Sequence, residues 1–288
     1  MFKKILGYGK RVGKEMKEDR ATGLAAEQAY YFMLAIFPLL ILALSILPYL
    51  QIDPQRATQF IQNVIPGQTG ELFREQVVNI VSEKRGGLLT FGIIGTIWSA
   101  SNGMVAFIRA MNAAFDVDET RSFIKMRLIA IGLTFGLIIA LIVTLVLPVF
   151  GSLIIDLVNS VINLPEQTQI IFQILRWLLA IAVIALVLSL LYKFAPNKHY
   201  PFKEVVPGAV VATIVWQLIS LGFSFYVSNF GNYSATYGSL GGIIVLMLWF
   251  FLTGLTLVIG GEVNAVYHKR RHNYAETHPN QSGVQHNT

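Results

Sequence analysis

"LGGIIVLMLWFFLTGLTLVIGGEVNAVY", residues 240–267, is an apolar run whose single charge is Glu262. At ~1.5 Å of rise per helical residue it is long enough to cross a hydrocarbon core of about 30 Å. A carboxylate within such a run is expensive unless it faces protein or water, so Glu262 is a functional candidate from the outset. Helical geometry puts Thr253, Thr256, Gly260 and Asn264 on one stripe, with Glu262 on the opposite side near Leu255, Val258 and Ile259. Small residues mark close helix–helix packing, and a carboxylate also avoids acyl chains. This segment is therefore expected to be contacted on two sides, as a central helix.

The rest of the chain repeats the signal. Hydrophobic residues make up 54% of the 288, only 13% are charged, and the mean hydropathy is +0.59. Soluble domains carry roughly 25% charged residues, so the shortage points to lipid as the solvent. Six spans are expected, near 29–50, 88–110, 128–150, 170–194, 205–228 and 240–267. The fold class is all-α, a polytopic integral membrane protein with a membrane domain over 23–271. That leaves no room for a separate soluble catalytic domain. With no cysteine, disulfides, thiolate metal sites and a cysteine nucleophile are excluded. No cleavable signal peptide is expected, because the first twenty residues lack an apolar core.

Charge sorts the loops. Lys3, Lys4, Lys10, Arg11, Lys14, Lys17 and Arg20 precede the first span. Arg121 and Lys125 follow the second, with Arg109 and Arg127 at its edges; Lys193, Lys198 and Lys203 follow the fourth, and Lys269, Arg270 and Arg271 the sixth. The loops after spans three and five hold no Lys or Arg. Positive charge stays on the cytoplasmic side, so both termini are expected there, in a bacterial cytoplasmic membrane. Basic loops beside spans also explain the pI near 9.5 without nucleic acid.

Residues 1–22 place Phe2, Ile5, Leu6, Val12 and Met16 on roughly one helical face among lysines, the pattern of an interfacial helix beside anionic headgroups. The outer loop 51–87 has helical periodicity on both sides of Pro66-Gly67, at Phe60, Ile61, Val64 and Ile65, then Phe73, Val77, Ile80 and Val81. Two amphipathic helices are expected there. Residues 272–288 are polar and are expected to form a disordered tail.

Polar groups inside the spans also share faces. Glu27, Tyr31, Leu34, Pro38 and Ser45 form one stripe in span one, and Trp98, Asn102, Ala106 and Arg109 form one in span two. Span five carries Thr213, Gln217, Ser220, Ser224 and Ser228 in steps of four, three, four and four. Glu27, Arg109 and Glu262 fall at similar depth, near the cytoplasmic end, so Arg109 is expected to pair with Glu27, Glu262 or both. Pro38 frees the carbonyl of Leu34 from its helix bond. Two readings of the stripes stand: they line a hydrated cavity, or they are interhelical hydrogen-bond glue worth ~0.6 kcal/mol per contact.

Other chemistry is sparse. His199, His268, His272, His278 and His286 are read as loop and tail residues without a metal-binding spacing on a helix, and no metal or cofactor is expected. Asp116 to Arg121, "DVDETR", lacks the ligand series of a calcium loop and reads as an exposed acidic turn. "GSLGG", 238–242, lacks the Lys-Ser/Thr continuation of a phosphate cradle. No nucleophile set of serine and histidine is discernible.

Several stretches together carry a resemblance: "AYYFMLAIFPLL" at 29–40, "WSASNGMVAFIRAMNAAFDVDETRSF" at 98–123, "YKFAP" at 192–196, "PGAVVATIVWQ" at 207–217 and "YSATYGSLGGIIVLMLWFFLTGLTLVIGGEVNAVY" at 233–267. They resemble the YihY/BrkB family of bacterial inner-membrane proteins over nearly the whole chain, from about residue 10 to 270. The resemblance implies a six-helix protein of the cytoplasmic membrane, and a transport or lipid-translocation role is suspected for relatives. Positions matching the family's motifs are Tyr30, Tyr31, Pro38, Asn102, Arg109, Asn112, Tyr237, Gly238, Gly241, Gly242, Glu262 and Asn264. Glu27 and Gln28 stand where smaller, mostly apolar residues are expected. Members have carried a ribonuclease label, but nothing in this chain supplies the histidines and aspartates of a zinc-dependent hydrolytic RNase.

The expected function is a transporter or lipid translocase using polar space between spans one, two, five and six, not an enzyme. A non-transporting envelope scaffold is the alternative. Candidate site residues are Glu27, Tyr31, Pro38, Asn102, Arg109, Asn112, Gln217, Ser220, Ser224, Tyr237, Glu262 and Asn264. The expected partners are membrane lipids and a small-molecule or lipid substrate, with homo-oligomerisation left open.

Overall fold

The structure is a computed structural model that describes residues 2–49, 84–140, 142, 166–230 and 240–277. Among them there is no strand. The helices are α1 (Phe2–Glu18), α2 (Ala21–Ile46), α3 (Gly86–Ala114), α4 (Phe123–Ala140), α5 (Glu166–Phe194), α6 (Phe202–Phe230) and α7 (Leu240–Thr277). Each of the last six includes a segment long and apolar enough to cross a membrane.

The helices overrun the apolar windows from which the spans were expected. α2 starts at Ala21 rather than 29, α4 at Phe123 rather than 128, and α7 continues to Thr277. Hydropathy marks the lipid-facing stretch, whereas a helix persists as long as its backbone bonds and packing do. Residues 272–277 of the expected tail are therefore helical, and 278–288 lie outside the described residues. So do most of the outer loop 51–87 and Tyr237.

α7 is the central helix, packing on α1, α2, α3 and α6. Small residues permit the closest approaches. A Cβ on Gly208 of α6 would collide with the Gly260 carbonyl of α7, and one on Gly92 of α3 would stand 2.8 Å from the Leu42 backbone of α2. The Tyr192 hydroxyl of α5 donates to the Leu257 carbonyl at 2.9 Å, joining α5 to the same helix. The core is concentrated toward one end, where Met104, Phe107, Ile108, Met111, Leu191, Tyr192, Val205 and Val258 are fully buried. Farther along, Phe37, Leu40, Phe91, Ile94, Leu218, Leu221 and Phe225 are exposed, as apolar side chains facing lipid are.

α1 lies against this densely packed end. Tyr8 donates to the Val263 carbonyl at 2.7 Å, and Val12 packs with Val263 and Val266. The face turned to the bundle thus includes Tyr8 and Val12, while Leu6 is exposed. Lys10, Arg11, Lys14 and Lys17 point away from the bundle. The turns 115–122 and 195–201 and the basic stretch of α7 gather at the same end, called the polar end below.

Candidate functional site

Glu262 is fully buried in α7 at the polar end, and neither carboxylate oxygen has a hydrogen-bond partner among the described residues. Its neighbour is Asp19, in the turn between α1 and α2 where Arg20 adopts a left-handed φ of 54°. Burial, then the charge of Asp116, pushes the Asp19 carboxyl above its ordinary range. Lys269 offsets part of this negative charge, bridging Glu15 at 3.0 Å and Asp116 at 2.6 Å. Asp19 and Glu262 thus place two carboxyl groups side by side at the polar end.

Arg109 pairs with Glu27 at 2.5 Å and with no other acidic side chain among the described residues. Of the two expected partners, Glu27 is the one it meets. The pair is half-exposed, so its contribution to stability is small. Gln28, expected at the rim beside Glu27, is instead fully buried against the close approach of Gly254.

The stripe on α3 divides its work. Asn102 does not meet Arg109; its side-chain oxygen accepts from Arg127 of α4 at 2.7 Å, and Ser101 Oγ accepts from the same Arg127 nitrogen at 2.8 Å. The Arg127 guanidinium also lies over the Trp98 ring, 4.2 Å from its centroid. By sequence alone Arg127 is a charge at the edge of the loop after span two. Its spacing from Phe123, one helical turn, was the available signal.

Asn112 ties two turns together. It donates to Glu119 at 2.9 Å and accepts from the Asn197 backbone N–H at 2.8 Å. Arg121 donates to both Glu119 oxygens and to the Ala195 carbonyl. The "DVDETR" segment is therefore a latch and not merely an exposed acidic turn, although Asp116 and Asp118 are exposed. The Arg121 hydrogen bond holds the Glu119 carboxyl down at about 2.

Asn264 is fully buried, and its side-chain oxygen accepts from the Gly208 N–H at 2.6 Å. It is interhelical glue of the kind one reading anticipated. The stripe on α6 reads differently. Gln217 and Ser220 are half-buried, Ser224 is exposed, and none of the three lines a described cavity. Helical periodicity groups these residues on one face but does not say what lies opposite it. Tyr31 and Pro38 are half-buried, and α2 runs through Pro38 as one helix, with the proline ring beside Gly95.

One cavity among the described residues is apolar. It measures about 200 Å³ and is lined by side chains that include Phe32, Ile184, Trp216, Trp249, Phe250 and Thr253. It lies among α2, α4, α5, α6 and α7, and the expected polar space between spans one, two, five and six is not what these residues enclose. Its lining is the same residue types as a lipid-facing surface, so no sequence signal sets it apart.

One group was missed because α7 was expected to end earlier. His268 and His272 are one turn apart on its continuation, and with Glu204 of α6 they bring ligand-capable atoms within 4.8 Å of one another. This corrects the reading that the histidines have no metal-binding spacing on a helix.

Comparison with known proteins agrees with the membrane architecture. The pattern of the family described as Virulence factor BrkB matches residues 12–285. The chain is 45% identical over 247 residues to the ribonuclease-like protein YfkH of Bacillus subtilis, covering 86% of this chain and 90% of that one. It is 28% identical over 276 residues to a UPF0761 membrane protein of Photobacterium profundum, covering 94% and 83% respectively. No solved structure matches.

Proposed function

The chain belongs to the BrkB family of membrane proteins, and from that premise we propose that it handles lipids, taking an acyl or isoprenoid chain into the cavity between α2, α4, α5, α6 and α7. The observation that carries this is the cavity's composition: aromatic and aliphatic walls, with Thr253 and Thr256 among its few polar groups. Such a lining favours a hydrocarbon tail over a hydrated solute. In the transport form of the reading, buried Glu262 and its half-buried neighbour Asp19 exchange protons at the polar end as the lipid moves.

The basic face of α1 supports an orientation with both termini in the cytoplasm, beside anionic headgroups. The chain is free of cysteine, so Lys10→Cys gives a single label site. Modification by an impermeant maleimide only after the cytoplasmic face is opened supports the orientation; labelling of intact cells refutes it.

The lipid reading is tested with purified protein bearing a photoactivatable lipid analogue and with liposomes containing a fluorescent lipid. Adducts at the cavity walls and faster loss of inner-leaflet signal are expected, both reduced by Thr253→Trp, which fills the cavity. Adducts without lipid movement favour a lipid-bound scaffold. No adduct at these helices ends the reading. The nuclease implied by the Bacillus relative's name has less behind it: the chemistry-bearing cluster at Glu204 is a three-residue group at the end of the bundle.

A further inference from the structure

We propose that Glu204, His268 and His272 form a binding site for a divalent transition-metal ion of the zinc class, joining the first turn of α6 to the end of α7. The helix supplies two imidazoles from positions i and i+4, which lie on one face. Their rings are adjacent, with centroids 4.1 Å apart. Glu204, its side chain 4% exposed, faces them from α6. Two imidazoles and one carboxylate form a borderline donor set that suits zinc and neighbouring divalent ions better than calcium or magnesium.

The arrangement is built before any ion arrives. Glu204 Oε2 and His268 Nδ1 already lie in hydrogen-bond contact, 2.5 Å apart. The other oxygen, Oε1, is 3.7 Å from Arg271, which holds the carboxylate from its far side. Tyr200 meets the His268 ring edge-on at a centroid distance of 4.8 Å, and Phe115 flanks both. His272 is the adjustable member, exposed and turned so that its Nδ1 contacts the His268 carbonyl at 3.1 Å.

Ligand atoms around a tetrahedral zinc ion lie ~3.4 Å apart, given bond lengths of about 2.0–2.1 Å. The present distances run from 2.5 Å between Glu204 and His268 to at most 4.8 Å, and reach that geometry when the first opens by ~0.9 Å and the His272 side chain, which nothing buries, rotates inward. Three protein ligands leave at least one position for water.

The test uses the full chain, purified without a histidine tag, stripped with chelator and dialysed against zinc, with cobalt as a spectroscopic substitute. One zinc per chain is expected, with affinity falling about 10–100-fold in His272→Ala and in Glu204→Gln. Cobalt should give the intense visible bands of a low-coordinate site, absent in His272→Ala. Because His272 is exposed, its replacement leaves the packing intact and decides the question even if His268→Ala does not fold. His278→Ala/His286→Ala is the control. Zinc binding lost in that control but kept in His272→Ala overturns the proposal, as does no zinc retained by the wild-type chain.

Discussion

Replacing Gly208 with alanine probes the contact on which the pairing of α6 and α7 depends. The added methyl would meet the Gly260 carbonyl oxygen and stand 2.5 Å from the Asn264 side-chain oxygen. Ordinary contact needs ~3.5 Å, and the Gly260 oxygen stands closer still, so the helices must part by at least about 1 Å. That displacement stretches the 2.6 Å Gly208–Asn264 hydrogen bond to ~3.6 Å, beyond hydrogen-bonding range. Overpacking costs ~1–3 kcal/mol, and a buried donor and acceptor left unpaired cost ~1–3 kcal/mol more, giving about 2–6 kcal/mol together. Gly222→Ala is the internal control: it lies on the same helix with nothing within 4 Å of the new methyl, and helix propensity alone should make it neutral or stabilising by ~0.5–1 kcal/mol. Thermal unfolding in a fixed detergent, followed by circular dichroism and by aggregation, reads both variants. Adding Asn264→Ala to Gly208→Ala should not restore stability, because the Gly260 carbonyl is main chain and stays in place. Equal unfolding temperatures for Gly208→Ala and Gly222→Ala would refute the close approach.

Further outcomes can be measured on the same preparation. Glu119 has its folded-state carboxyl lowered to about 2, so its stabilisation is full above the unfolded range near 4.5 and disappears as pH falls toward 2; the melting difference between wild type and Glu119→Gln should shrink over that window. Asp19 has the opposite sign: its raised carboxyl adds stability only at low pH and loses it as pH rises, so Asp19→Asn should gain in unfolding temperature relative to wild type as pH is raised from the acid range. Glu27→Gln should cost at most ~1 kcal/mol because the pair with Arg109 is half-exposed. Arg127→Leu should cost more, ~1–3 kcal/mol, because it strips Ser101 and Asn102 of their donor; equal losses in the two variants would count against the Arg127 assignment.

The legible parts of this molecule are those governed by period and depth. Two-sided polarity on 240–267 made α7 central, and counting residues from the polar end brought Arg109 to Glu27. What escaped depends on partners distant in sequence. Asn112 shows no sign of its tie to Asn197, because a single amide carries no direction. Ser220 and Ser224 were legible as a face, but periodicity cannot say whether a face meets helix, cavity or lipid. The apolar cavity escaped because Trp216 and Trp249 read like any membrane residues. His268 and His272 escaped because hydropathy fell before the helix did.

The latch formed by Asn112, Glu119, Arg121 and Asn197, with Lys269 bridging α1 and the 115–122 turn, cinches the helices together at one end. The walls of the cavity stand some 10–20 residues along those helices, ~15–30 Å from the cinch. A small tilt at the knot grows with distance along the helices, by simple lever arm. Access to the cavity would then be governed by chemistry far from it, and cutting the knot at Arg121 should loosen a chamber that Arg121 never touches.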